Sequence, residues 1–181
     1  MSEELEVLIT VTGRLETADI PYMITGSMAA NYYTVPRMTR DIDIVVELSG
    51  PDVDRVIELF QDDFYIEREA VETALRERTM FNIIHNAFVI KVDIVIRKEN
   101  EFRFEEFSRK KRISVEGHEM FIVAPEDLIL SKLEWAKNTR SEVQLADVRN
   151  LLTGVEGLDR NYLTRWANRL GLESLYREVG G

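Results

Sequence analysis

The chain has 181 residues, with 33 acidic against 23 basic side chains, a net charge of −10 and no cysteine. This charge disfavours a broad nucleic-acid-binding surface, which needs clustered Lys and Arg, and the lack of cysteine excludes disulfides and a thiolate nucleophile. No apolar run reaches the roughly 20 residues of a membrane span, and the acidic start is unlike a signal peptide, so we expect a cytoplasmic protein that does not engage a membrane.

The amino-terminal residues predict an amphipathic helix over 2–19, a strand over 22–25 and a short helix over 28–33. Gly26 and Ser27 form the turn between this strand and the short helix. Glycine lets a phosphate approach the backbone closely, and Ser27 offers a hydroxyl and an amide at the start of a helix. The alternative is an ordinary strand-to-helix turn in which Ser27 is the N-cap.

Asp41 and Asp43 follow this turn after a gap of thirteen residues, and they open the β-branched run 42–46, which predicts a buried strand. Alternate side chains of a strand share a face, so the two carboxylates point the same way, with Cα atoms about 6.7 Å apart. Their mutual repulsion favours a cation between them. Mg²⁺ is the natural candidate, because it prefers oxygen ligands and a soft-metal site would need cysteine or clustered histidine.

Two helices and a hairpin are predicted next: a helix starting at Gly50-Pro51, a helix over 69–78, and strands over 80–84 and 88–96 that turn near Asn86. Asp93 is the only acid of the second hairpin strand. A buried carboxylate needs a cation, a metal or hydrogen-bond donors, and the hairpin brings Asp93 towards Asp41 and Asp43. A local pair with Lys91 is the alternative.

The last part of the chain changes from strands to helices. A hairpin over 113–115 and 119–123 is followed by helices over 126–138, 142–153, 159–170 and 172–179. We therefore expect a sheet-bearing core over 1–123, which carries the candidate metal ligands, and a helical portion over 124–181.

The Gly-Ser turn, the Asp-x-Asp strand and the later strand with a single Asp together resemble the nucleotidyltransferase superfamily typified by DNA polymerase β. Residues 22–30, 37–43, 125–133 and 145–152 are similar to small bacterial and archaeal members related to the nucleotidyltransferase toxins of abortive-infection systems. The resemblance implies an α+β fold, with a mixed sheet flanked by helices and a C-terminal helical portion. Many members have a shorter gap between the turn and the acids, so the substrate class cannot be carried over.

The resemblance also implies roles for the residues of the motif. Asp41 and Asp43 would bridge two Mg²⁺ ions, and Asp93 would complete one of the two sites and lie nearest the incoming hydroxyl. Gly26 and Ser27 would hold the β- and γ-phosphates of a nucleoside triphosphate.

Further cations are candidates for the nucleotide site. Arg37 and Arg40 could contact triphosphate oxygens, pair with the neighbouring acids, or stay solvated. Lys132 lies within a predicted helix and could contact the triphosphate or pair with Asp147 or Glu126. The basic run 109–112 could form a rim for a polyanionic acceptor or a solvated face. Three aromatic residues could stack on a base or belong to the core: Trp135, Tyr162 and Trp166.

Two functions are compatible with these residues. The first is a magnesium-dependent enzyme that moves a nucleoside monophosphate from a nucleoside triphosphate to a hydroxyl of RNA, protein or a small molecule and releases pyrophosphate. The second is a catalytically silent nucleotide-binding or regulatory module, for example one component of a toxin–antitoxin pair with a partner protein. A P-loop hydrolase is disfavoured, because the sequence has no Gly-x-x-x-x-Gly-Lys-Ser/Thr motif.

Overall fold

A computed structural model of the chain describes residues 2–39 and 41–180, and a mixed sheet forms its centre. Its seven strands are β1 (Tyr22–Thr25), β2 (Ile42–Val46), β3 (Phe64–Tyr65), β4 (Met80–His85), β5 (Lys91–Ile96), β6 (Lys111–Val115) and β7 (His118–Ile122), in the order β3-β4-β5-β2-β1-β7-β6. β2 runs parallel to β5 and antiparallel to β1, and β1 runs parallel to β7.

Helices connect the strands and make up the carboxyl-terminal part. They are α1 (Glu3–Thr17), α2 (Gly26–Tyr33), α3 (Val53–Phe60), α4 (Arg68–Glu77), α5 (Glu101–Ser108), α6 (Pro125–Thr139), α7 (Glu142–Gly154), α8 (Arg160–Arg169) and α9 (Glu173–Glu178), with a single 3₁₀ turn over Gly50–Asp52 before α3. This architecture confirms the predicted α+β class with its helical C-terminal portion. None of these helices is both long and apolar enough to cross a membrane.

The two faces of the central strands differ in character. Ile42, Ile44 and Val46 of β2 are fully buried on one face, and Asp43 lies on the other face. This alternation follows from the pleat of the strand. One face of β2 therefore belongs to the hydrophobic core, and the opposite face carries Asp43.

Helix α6 joins the sheet-bearing core to the other C-terminal helices. Pro125 occupies its first turn, where the missing N–H costs nothing, and Leu128, Ile129 and Leu133 are almost fully buried. Burial of each such side chain contributes about 1.5–3 kcal/mol. The predicted division after residue 123 falls between the end of β7 at Ile122 and the start of α6 at Pro125.

One local prediction is wrong, and two elements were not predicted. β5 begins at Lys91 rather than at Phe88, because the chain turns through Val89 in the left-handed region, with φ of 54°. The short strand β3 and the helix α5 have no predicted counterpart. In α5 a buried acid, Glu106, stands among the apolar positions and obscures the helical period.

Candidate functional site

The parallel pairing of β2 and β5 brings the predicted acids together. Asp43 is the register partner of Asp93 on the neighbouring strand, and Asp41 lies two residues before Asp43. Register partners on neighbouring strands point to the same face of a sheet. The three carboxylates therefore meet on one face, at the ends of β2 and β5 where both strands begin.

Two side chains hold Asp93 in place. Lys91 Nζ lies 3.0 Å from Asp93 Oδ2 and 3.6 Å from Asp41 Oδ1, so the Lys91–Asp93 pair exists and extends to Asp41. The hydrogen bond with Asp93 raises the pKa of Lys91 above its usual range. Asn82 donates from Nδ2 to the other carboxylate oxygen of Asp93. No pattern in the sequence distinguishes Asn82, and only its pairing with Asp93 across β4 and β5 could have identified it.

The surroundings of Asp43 disfavour the charged form of its carboxyl group. Burial, and then the charges of Asp93 and Asp41, raise the pKa of its carboxyl above the usual range. The oxygen donors on this face are those that Mg²⁺ prefers. Within residues 2–39 and 41–180, however, no three His, Asp or Glu side chains are arranged to hold an ion as they stand. The Lys91 ammonium lies between Asp41 and Asp93, so a magnesium ion bound by these acids would have to displace it.

Gly26 lies directly against this cluster. Its φ is 64°, and a Cβ atom at this position would be 2.0 Å from Asp43 Oδ2. Only glycine fits here, both for the left-handed backbone and for the close approach of the carboxylate. Helix α2 begins at Gly26 with Thr25 at the N-cap position, so the alternative in which Ser27 is the N-cap is wrong. The first amides of α2 and its positive dipole end thus lie beside the acids.

Ser27 is part of a polar network that reaches the helical portion. Arg37 donates from Nη2 to Ser27 Oγ at 2.7 Å and makes two bonds of 3.0 Å to the carboxylate of Asp147. Lys132 Nζ is 2.8 Å from the same carboxylate and 2.9 Å from Gln144 Oε1. Two predicted phosphate ligands, on a loop and on α6, therefore share one carboxylate of α7.

This network lowers the pKa of both Asp147 and Lys132, for different reasons. Burial raises the pKa of Asp147, but the hydrogen bonds from Arg37 and Lys132 outweigh it and hold that pKa below its usual range. Burial lowers the pKa of Lys132, against the hydrogen bond and the charge of Asp147. Lys132 is almost fully buried, so its charge depends on this partner. The predicted alternative of a Lys132–Asp147 pair is confirmed.

Other predicted residues lie away from the cluster or are engaged elsewhere. Arg40 lies outside the described residues. Arg109, from the basic run, bonds to Asp127 at 2.9 Å and stacks on the ring of Tyr162 at 3.9 Å, so it serves the packing of the helical portion. Tyr162 and Trp166 are buried, whereas the side chain of Trp135 is exposed.

The sequence matches no protein-family model and no curated protein. Solved structures nevertheless share its fold. The lincosamide antibiotic adenylyltransferase LnuA, with lincomycin bound, is 14% identical with a TM-score of 0.55, over 84% of this chain and 97% of LnuA. ANT(2'')-Ia in complex with adenylyl-2''-tobramycin is 12% identical with a TM-score of 0.58, over 98% of both chains. An antigenic nucleotidyltransferase-like protein from Paracoccidioides brasiliensis is 14% identical with a TM-score of 0.57, over 98% of this chain and 92% of its own.

The chain thus has the fold of the nucleotidyltransferases, which confirms at the level of fold the resemblance found in its sequence. The narrower likeness to abortive-infection toxins stays a prediction.

Proposed function

We propose that the protein is a magnesium-dependent nucleotidyltransferase that moves a nucleoside monophosphate from a nucleoside triphosphate to a hydroxyl and releases pyrophosphate. The observation that carries this proposal is the register of β2 and β5, which puts Asp43 beside Asp93 with Asp41 on the same face. The neighbours support the reaction class, since LnuA is an adenylyltransferase and ANT(2'')-Ia is solved with an adenylylated product.

The turn at Gly26 and Ser27 suits the β- and γ-phosphates. Helix α2 starts at this turn, so its first amides are free to donate to phosphate oxygens, and its dipole favours an anion. Arg37 already donates to Ser27, and Lys132 lies on the far side of Asp147. Both cations would neutralise the triphosphate, and Arg40 is proposed to join them.

Asp41, Asp43 and Asp93 would hold two magnesium ions, which act as Lewis acids when bound. The acceptor oxygen forms a bond to the α-phosphorus while the bond from that phosphorus to the bridging oxygen of the β-phosphate breaks, and pyrophosphate leaves. We assign the hydroxyl proton to Asp93, which Asn82 orients through its second oxygen. Lys91 must release Asp41 and Asp93 before this arrangement forms.

The acceptor class and the setting complete the proposal. We propose a hydroxyl of RNA, protein or a small molecule as the acceptor, and a cytoplasmic location with a partner protein. A catalytically silent nucleotide-binding module, such as a toxin–antitoxin component, is the second candidate. The ammonium of Lys91 between Asp41 and Asp93 favours it, because a fixed cation there could replace the metal.

Thermal unfolding tests the proposal. Wild type and the Asp41→Asn/Asp43→Asn variant are compared with each common ribonucleoside triphosphate, with and without Mg²⁺. A nucleotide at 100 times its dissociation constant should stabilise wild type by about 2.7 kcal/mol, only with the metal and not in the variant. Asp62→Asn, at an exposed acid away from the cluster, serves as the control and should behave as wild type.

The outcomes separate the two candidates. A metal-dependent shift together with release of pyrophosphate from the same nucleotide supports the enzyme. A nucleotide shift that needs no metal and survives in the double variant supports the silent module. The absence of any shift contradicts both.

A further inference from the structure

The sheet face that carries the acids extends beyond them over β4 and β3. Asn82 and Asp93 are register partners and form one row across the strands. The neighbouring row consists of Tyr65, Ile84 and Lys91, each paired with the next. A second flanking row contains Met80 and its partner Val95. Paired side chains share a face, and so do residues two apart along a strand. Asp93 is therefore bordered by the amide of Asn82 and by two rows that contain Ile84, Met80 and Val95.

This part of the face is open, whereas the part over β1 is covered. Tyr65 is 60% exposed and Met80 is 45% exposed, and Asn82 between them is exposed as well. Met23 lies on the same face at β1 and is completely buried. The face thus opens on the side of the acids that is remote from Gly26 and Ser27.

An aromatic side chain bounds the open face at the far end of β5. Arg97 follows Asp93 and Val95 on the same face, and its guanidinium lies 4.2 Å from the centroid of the Phe104 ring. Phe104, on α5, is 49% exposed. The open face between Tyr65 and Phe104 is consequently a mixed apolar and aromatic surface with one amide.

Charge restricts what this surface can bind. Of its cations, Lys91 is bound by Asp93 and Asp41, and Arg97 is buried and 3.2 Å from Glu47. A polyanion would need cations that are free to replace its counterions. An uncharged or cationic molecule would meet carboxylates, an amide and an aromatic ring, all of which favour it.

We propose that the open face, defined by Tyr65, Met80, Asn82, Ile84 and Val95, binds the acceptor, and that the acceptor is a small uncharged or cationic hydroxyl compound rather than RNA. The nucleotide groups lie on the β1 side of the acids, and this face begins at Asp93, where the hydroxyl must arrive. The inference rests on the proposed function and names its acceptor class.

A fluorescence experiment tests the acceptor face. The chain has no cysteine, so Met80→Cys can carry a single environment-sensitive thiol dye. The labelled protein, with Mg²⁺ and a non-hydrolysable nucleoside triphosphate, is titrated with methyl glucoside, with tobramycin and with a short single-stranded RNA. We expect a saturable emission change with the sugar or with tobramycin, and none with RNA.

Two further variants sharpen the test. Adding Tyr65→Ala should weaken the apparent affinity about 3- to 10-fold, as expected for one aromatic contact. The same dye at Tyr32→Cys, an exposed aromatic position on α2, should show no change in emission with any probe. A response at Tyr32→Cys equal to that at Met80→Cys would overturn the location.

Other outcomes would overturn the inference. The inference fails if the dye emission changes with none of the three probes, or if it changes with RNA. It also fails if the emission depends on protein concentration alone, because the face would then bind a second copy of the chain. The nucleotide-dependent thermal shift of unlabelled wild type separates the two proposals. If that shift is present, a silent dye contradicts only the acceptor face; if it is absent, the proposed function itself fails.

Discussion

Asp43 links the chemistry of the site to pH. Because burial and the two neighbouring acids raise its pKa, the folded protein binds this proton more tightly than the unfolded chain does. The resulting stability is fully present below the usual Asp pKa of about 4 and is lost as pH rises through the raised value. At pH values above the raised pKa of Asp43, Asp43→Asn should raise the unfolding temperature of the metal-free protein, because the substitution removes a buried negative charge beside two others. Calorimetry from about pH 4 to pH 8 measures this.

The matched comparison uses Asp62→Asn, whose stability should follow the wild-type pH profile. If Asp43→Asn unfolded at a lower temperature than wild type at neutral pH without metal, the carboxylate would be stabilising the fold. The interpretation of Asp43 as a strained acid would then be wrong.

Lys91 bears on the proposed metal binding by the acids. Its ammonium neutralises two of the three carboxylates, so an incoming cation must displace it. Lys91→Met should therefore tighten Mn²⁺ binding without nucleotide. The gain should reach up to about 5-fold, since its side chain is 42% exposed and solvent screens the pair. Titration followed by electron paramagnetic resonance of free Mn²⁺ measures it. Lys91→Arg keeps the charge and should bind as wild type, and equal affinities for all three proteins would contradict displacement.

At the scale of an element, the start of α2 depends on Gly26. Gly26→Ala adds a Cβ atom into Asp43 and forces a left-handed backbone. The cost should be at least about 1–3 kcal/mol, together with loss of the nucleotide-dependent shift. Gly13→Ala is the control, because nothing lies within 4 Å of its Cβ position on α1. That change should stabilise by about 0.5–1 kcal/mol. Urea unfolding measures both, and an unaffected Gly26→Ala would contradict the close approach.

Asp147 ties α6, α7 and the loop before β2 together. Asp147→Asn removes the counter-charge of buried Lys132 and weakens both bonds from Arg37, so about 3–5 kcal/mol of stability should be lost. Glu142→Gln, in an exposed pair with Arg149 at 4.0 Å on the same helix, should change stability by less than about 1 kcal/mol. Chemical denaturation compares the two variants. Equal losses would mean that the buried network has no special role.

The elements that the sequence predicts well are those whose signals are local. The four C-terminal helices lie within one or two residues of their predicted bounds, because apolar periodicity and the stops at Gly154 and Gly171 suffice. The acids were found from spacing and resemblance. The convergence of these acids on one face depends on strand order, and so does the hydrogen bond from Asn82 to Asp93. The sharing of Asp147 by Arg37 and Lys132 depends on helix packing. No local sequence pattern predicts strand order or helix packing.

At the scale of the whole molecule, the two parts of the chain are joined by ion pairs that are partly shielded from solvent. Arg109 bonds to Asp127 and Arg103 to Glu134, and Arg37 reaches Asp147 across the division after residue 123. We therefore expect one cooperative transition for both parts, seen at the same temperature by near-ultraviolet circular dichroism and by calorimetry. A fragment of residues 1–123 would expose the partners of α6 and should show no cooperative unfolding. Two separate transitions would contradict this coupling.

The ends of the sheet bear on how the protein behaves at high concentration. One edge strand, β3, has only two residues. The other, β6, presents exposed Lys111 and Arg112, from the basic run that the sequence offers as a rim for a polyanionic acceptor or as a solvated face. Short edges and charged edges discourage a strand of another molecule from pairing. A second copy adding to β6 in parallel register would bring Lys111 and Arg112 of both copies together, which disfavours growth of this sheet into fibres in that arrangement.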